Sequence, residues 1–122
     1  MRKLNVLILG ASDNPDRHSY QADRLLRECG HSAILVANRA REYEGRQIAD
    51  NFPLTGTIDV ITLYINPAHQ TNWKSAILAA NPTKVIFNPG TENPDLQFHL
   101  SEKGIQWEEA CTLVLLHSGQ FP

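Results

Sequence analysis

Leu4-Asn5-Val6-Leu7-Ile8-Leu9-Gly10-Ala11-Ser12 opens the chain, and the order of its parts predicts an α/β fold. Leu4–Leu9 is a short apolar run broken only by Asn5, as expected of a strand buried on both faces. Gly10 ends it, and Ala11 to His18 is a polar loop. Ala22, Leu25, Leu26 and Cys29 then recur at i, i+3, i+4 and i+7, the stripe of an amphipathic helix. Ser19 is its expected N-cap and Gly30 its expected C′ residue.

The alternation continues along the chain. Ala33–Ala37 reads as a second strand, and Asp59–Ile65, β-branched and aromatic, as a third. Asn66-Pro67 has the form of an N-cap followed by N1, opening a helix whose buried stripe is Trp73, Ala76, Ile77 and Ala80. Lys84–Phe87 is a fourth strand, stopped by Asn88-Pro89-Gly90. Asn93-Pro94 repeats the cap-plus-proline signature for a short helix that Gly104 ends. Ile105–Glu108 is a weak fifth strand, and Ala110, Leu113, Val114 and His117 suggest a last helix.

This pattern predicts one Rossmann-like domain over residues 1–122. It would be a three-layer α/β sandwich of about five parallel strands with helices on both faces. Ligands of such sheets bind beyond the carboxyl ends of the strands, where the strand order switches. The loops there are Gly10–His18, Asn38–Gly45, Asn66-Pro67 and Asn88–Asn93.

Composition narrows the function classes. A chain of 122 residues with 42% hydrophobic and 20% charged residues is globular, which excludes a disordered or fibrous chain. Cys29 and Cys111 form no disulfide framework and no CxxC, so a reducing cytoplasm is the expected compartment. Met1-Arg2-Lys3 imitates a leader, but the apolar run behind it is too short, and no membrane span is expected. The net charge of −2 argues against nucleic acid as a partner. Residues 1–46 hold 8 Lys+Arg against 6 Asp+Glu, and six of those cations are arginines beyond position 16. That concentration favours local binding of an anion.

Gly10 lets a ligand approach the backbone, and the N–H groups of a following helix start attract an anion. Ser12 can add a hydroxyl donor, and Arg17 and His18 can add charge. A plain turn and cap would use the same residues. The dinucleotide fingerprint fails, because Ser12 and Pro15 stand where G-x-G-x-x-G has its second and third glycines. Asn38-Arg39-Ala40-Arg41 replaces the acidic residue that holds the ribose of NAD. An arginine there suits a phosphorylated ribose, carried by NADP and by coenzyme A. The competing reading is that Arg39 and Arg41 are solvated charges balanced by Glu42 and Glu44.

No catalytic constellation is legible. Ser12 lies outside a G-x-S-x-G elbow, and the five histidines have no metal-ligand spacing. Cys111 reads first as a core hydrophobe ahead of the last helix, with a reactive thiol as the alternative, and Cys29 as part of the first helix's stripe.

Several pieces, in this order and spacing, carry a resemblance to a known family. They are Gly10-Ala11-Ser12 with Asn14-Pro15 and Arg17, Ser19-Tyr20, Gly30-His31, and Asn38 followed by Gly45. Asn88-Pro89-Gly90-Thr91-Glu92-Asn93 and Cys111-Thr112-Leu113-Val114 complete them. In these the chain resembles the small stand-alone CoA-binding domain proteins, related to the CoA-binding Rossmann domain of succinyl-CoA synthetase alpha subunits. The resemblance implies that the CoA diphosphate lies on the first loop and helix, a role that carries over to Ser12 and Arg17; Gly10, Ala11 and His18 complete that candidate site. It implies an adenosine end near Asn38, Arg39, Ile65 and Pro67, with Asn88, Pro89 and Gly90 flanking the pantetheine.

Where the family often has a valine-asparagine-proline turn followed by lysine, this chain has Val36-Ala37-Asn38-Arg39. The synthetase's phosphohistidine-bearing domain has no counterpart in these 122 residues. The expectation is therefore non-catalytic binding of CoA or an acyl-CoA, with no metal and no enzymatic turnover; no motif names a protein partner. The alternatives are an NADP-type oxidoreductase fragment, or a regulatory or interaction subunit that has lost its ligand.

Overall fold

The computed structural model describes residues 2–122, and Met1 lies outside them. Among the described residues seven strands form one sheet: β1 (Asn5–Leu9), β2 (Ser32–Val36), β3 (Arg41–Tyr43), β4 (Arg46–Ala49), β5 (Val60–Leu63), β6 (Lys84–Phe87) and β7 (Gln106–Glu109). The helices are α1 (His18–Glu28), α2 (Pro67–Gln70), α3 (Lys74–Ala80), α4 (Pro94–Glu102) and α5 (Thr112–His117), and a 3₁₀ turn, Thr71–Trp73, joins α2 to α3. Across the sheet the order is β3-β4-β2-β1-β5-β6-β7. All neighbours pair in parallel except β3 with β4. Successive parallel strands run outward from β1 in both directions, so the order switches between β1 and β5.

The first strand is buried on both faces, as its unbroken apolar run requires. Val6 and Ile8 pack with Ala22 and Leu26 of α1 and with Leu115 and Leu116 of α5. Leu7 and Leu9 point the other way, against Ile77 of α3 and Leu96 and Leu100 of α4. This is the period-two alternation of a strand between two helical layers. Each such fully buried side chain contributes about 1.5–3 kcal/mol relative to exposure.

The expectation of about five strands is corrected by the β3–β4 hairpin, which puts a parallel and an antiparallel strand where a loop was expected. Both strands lie at the sheet edge, and among their residues only Ile48 is buried. An edge hairpin this polar carries no apolar period to read. Its two-residue turn, Glu44-Gly45, has positive φ at both positions (48° and 76°), as a tight hairpin turn of this hand demands.

The Asn-Pro signatures open helices as expected. Asn66 accepts from the His69 N–H at 3.1 Å, and Asn93 accepts from the Leu96 N–H at 3.3 Å. Gly30, at φ +90°, closes α1 by donating to Arg27 O, while the His31 N–H reaches Leu26 O, both at 3.0 Å. Three local expectations are corrected. Ser19 is buried inside the first turn of α1, and Arg17 is the N-cap; Cys29 is exposed at the helix end. In α5 the buried face is Thr112, Leu115 and Leu116, and Val114 is exposed.

His31 is buried beside the Phe121 ring, and its Nδ1 accepts from the Leu4 N–H at 3.1 Å. Burial holds it below its ordinary value of 6.5, and only the unprotonated nitrogen can accept this bond. Between the folded value and about 6.5 the unfolded chain binds more protons, so stability is full above that window and falls as pH drops through it. Urea unfolding at about pH 7.5 and about pH 5 should show the loss, and His31→Phe should remove that slope.

Candidate functional site

At the switch between β1 and β5 the carboxyl ends of the strands open into a cleft of about 630 Å³, a size suited to a small-molecule ligand. Its floor is built from the ends of β1, β2 and β5: Leu9, Gly10, Ala37, Tyr64 and Ile65 all line it. Gly10 sits at φ +97°, and a Cβ there would lie 2.9 Å from the Tyr64 carbonyl carbon and from Ile65 Cγ2. The N–H groups of Gly10 and Ala11 both donate to Val36 O, at 2.9 and 3.1 Å. Gly10 is therefore needed to let β1 and the β5 end close together, before any ligand is considered.

The next residues form a self-bonded turn. Ser12 Oγ accepts from the Asn14 N–H, and Asn14 Oδ1 accepts from the Asp16 N–H, both at 3.0 Å. Accepting leaves the Ser12 hydroxyl proton free to donate. α1 starts at His18 without a side-chain cap, and its first bond inward runs from the Gln21 N–H to Arg17 O. Among the described residues, the N–H groups of His18, Ser19 and Tyr20 therefore have no partner. His18 and Ser19 line the cleft beside Arg17, an arrangement that suits a phosphate.

Of the residues singled out from sequence, Gly10, Ala11, Ser12, Arg17, His18, Asn38, Ile65 and Pro89 are brought together around this cleft. Arg39, Pro67, Asn88 and Gly90 are not among its lining residues. Arg39 is exposed on the turn after β2; of the two arginines that follow β2, the one that lines the cleft is Arg41, at the start of β3. Its Nη2 donates to Ala11 O at 3.3 Å, its Nη1 to Arg39 O at 3.1 Å, and its Nε lies 3.6 Å from Asp13. The hairpin folds position 41 back over the first loop, which a reading of Asn38–Gly45 as plain loop does not show.

Pro67 is turned away because α2 and the 3₁₀ turn present His69, Asn72 and Trp73, spaced i, i+3 and i+4, to the cleft instead. Asn88 is buried and braces the sheet ends. Its Nδ2 donates to Thr62 Oγ1 (2.7 Å) and Leu63 O (2.8 Å), and its Oδ1 accepts from the Thr112 N–H (2.8 Å). Gly90 gives its N–H to Glu92. Sequence reading missed Tyr64, whose phenol burial pushes up to about 12, so it stays protonated near neutral pH. Cys111 is half-buried at the N-cap of α5 and does not line the cleft. Among the described residues no group of three or more His, Cys, Asp or Glu is placed to hold a metal ion, and no helix is long and apolar enough to cross a membrane.

Residues 5–117 match the family described as CoA binding domain. The chain belongs to that family. Solved structures of similar proteins follow the same fold. An uncharacterized protein is 41% identical, with 99% of this chain and 100% of that one covered and a TM-score of 0.94. A protein from Thermus thermophilus is 24% identical over 98% of this chain and 91% of its own, with a TM-score of 0.85. A hypothetical protein from Pyrococcus horikoshii OT3 is 21% identical over 98% and 84%, also at 0.85. No curated protein matches the chain. In this CoA-binding domain the first loop, the start of α1 and the ends of β2 and β5 surround one cleft.

Proposed function

We propose that this CoA-binding domain binds CoA or an acyl-CoA in the β1–β5 cleft without chemical turnover. The observation that carries the reading is the open end of α1: three unpaired N–H groups with Arg17 and the Ser12 hydroxyl beside them, at the sheet's switch point. Helix-end N–H groups and a guanidinium favour a diphosphate, and Trp73, Ile65 and Tyr64 supply apolar wall for the rest of the ligand. Arg41 replaces Arg39 as the candidate for the ribose phosphate. Absence of turnover is supported by the contacts of Ser12, whose Oγ is bonded to a backbone N–H rather than to a base, and by Cys111 lying outside the cleft lining.

The test is a thermal-shift panel of CoA, acetyl-CoA, NAD, NADP and ATP. A ligand of the folded state at about 100 times its Kd adds about 2.7 kcal/mol. CoA and acetyl-CoA should do so and NAD should not; stabilisation by NADP alone would favour the oxidoreductase-fragment reading. Arg17→Ala should weaken CoA by about 1.5–3 kcal/mol as a lost charge-assisted bond. Acetyl-CoA incubated with the protein should release no thiol.

The ribose phosphate is tested separately. Wild type should prefer CoA over 3′-dephospho-CoA by about tenfold, and Arg41→Ala should lose that preference while Arg39→Ala keeps it. Equal affinities in the wild type would remove Arg41 from phosphate recognition.

A further inference from the structure

Two of the six arginines beyond position 16, Arg17 and Arg41, line the cleft, and Arg39 is exposed on its loop. The other three, Arg24, Arg27 and Arg46, meet elsewhere. They line a second pocket of about 560 Å³ between the outer face of α1 and the β3–β4 hairpin, together with Tyr20 and Tyr43. It shares no lining residue with the cleft.

This pocket is held together by one buried carboxylate. Asp23 is 1% exposed and accepts from Arg27 Nε (3.2 Å), Arg27 Nη2 (3.3 Å), Tyr43 Oη (3.2 Å) and Arg46 Nη2. Two guanidiniums and one phenol are thereby locked in orientation, and each guanidinium keeps Nη1 donors outside these bonds. Arg46 Nε is itself buried with no partner among the described residues. Arg24 is exposed one turn from Arg27, and no carboxylate lies within ion-pair distance of it among the described residues. The Tyr20 and Tyr43 rings, 5.5 Å apart at 34°, supply an aromatic wall.

The Nη1 groups of Arg27 and Arg46, held in place by Asp23, and the exposed Arg24 guanidinium can donate to the oxygens of a phosphate, and a tyrosine pair beside them can pack against a flat ring. Glu28 and Glu44, both exposed, also line the pocket and oppose any anion, so recognition there depends on the directed donors rather than on net charge. We propose that this pocket is a second ligand site, separate from the cleft, for a phosphate monoester carrying a planar ring.

The test uses phenyl phosphate, followed by amide chemical shifts of the intact protein up to about 10 mM ligand. Saturating shifts should centre on Tyr20–Glu28 and Tyr43–Arg46. Inorganic phosphate and phenol should each bind at least about tenfold more weakly, because each fills half of the site. Arg24→Ala should weaken phenyl phosphate about tenfold, and Arg24→Lys should recover only part of that, since charge returns without the fork. Arg24 is exposed, and a dispersed amide spectrum checks that its variants fold.

No saturation, shifts centred on Gly10–Ser12, or unchanged affinity in Arg24→Ala would overturn the proposal. The titration is repeated with excess CoA. Displacement of phenyl phosphate by CoA would make the pocket part of the cleft's ligand site and end the claim of a separate one. CoA that binds nowhere leaves this titration intact and counts against the cleft reading alone.

Discussion

Replacing Gly10 by valine should destabilise the domain by about 2–6 kcal/mol, out of the 5–15 kcal/mol typical of a whole domain. Two effects add. A β-branched residue at φ +97° sits in backbone space that side chains rarely enter, a strain of about 1–3 kcal/mol. Its Cβ would also lie 2.9 Å from the Tyr64 carbonyl carbon, and a backbone atom cannot swing aside as a side-chain tip can. Overpacking of that kind costs about 1–3 kcal/mol more. Gly10→Ala meets the same Cβ contact with a smaller side chain and should fall at the low end. Urea unfolding measures both variants, and a loss under about 1 kcal/mol for valine would mean that the β5 end yields to it. The same residue also floors the cleft, so reduced CoA binding in Gly10→Val has to be read on the fraction still folded.

Asp23→Ala should cost about 2–4 kcal/mol. Removing one partner of a buried ion pair costs about 3–5 kcal/mol. The loss is smaller here because the Arg27 and Arg46 side chains are 45% and 29% exposed, so water solvates part of the positive charge left without its partner. Arg27→Ala should cost under about 1 kcal/mol, since Arg46 and Tyr43 still serve the carboxylate. That asymmetry is the diagnostic: equal losses for the two variants would mean that Asp23 is not the shared centre. Tyr43 gives an independent reading. Its phenol is pushed up to about 12, first by burial and then by the Asp23 charge and hydrogen bond. In Asp23→Ala the phenolate should form at lower pH than in the wild type, because two of the effects that raise it are gone while the Arg46 charge that lowers it remains.

The residues that were legible in the sequence were those with a period or a local chemistry of their own. Leu4–Leu9 announces a strand buried on both faces, and Asn66-Pro67 and Asn93-Pro94 announce helix starts, because caps act within one turn. Gly10-Ala11-Ser12 with Arg17 marks the first loop because β1 feeds α1 directly, and those residues do surround the cleft. The hairpin Arg41–Ala49 was not legible. Its strands are three and four residues long and sit at an edge, where water rather than a core faces most of their side chains. Arg39, one residue past Asn38, was consequently the arginine expected at the ligand, and Arg41 was not.

By itself, then, the sequence determined the alternating layers, the parallel sheet around β1 and the first loop that lines the cleft. Each of these follows from neighbours a few residues apart. Only the tertiary structure decided which distant residues converge. It turned Asn88 inward to brace β5 and α5, brought Arg41 rather than Arg39 over Ala11, and buried Asp23 under arginines from α1 and β4. Such choices depend on strand register and chain reversal. These fix side-chain direction over 20 or more intervening residues, as with Asp23 and Arg46, and leave no periodic trace in the chain.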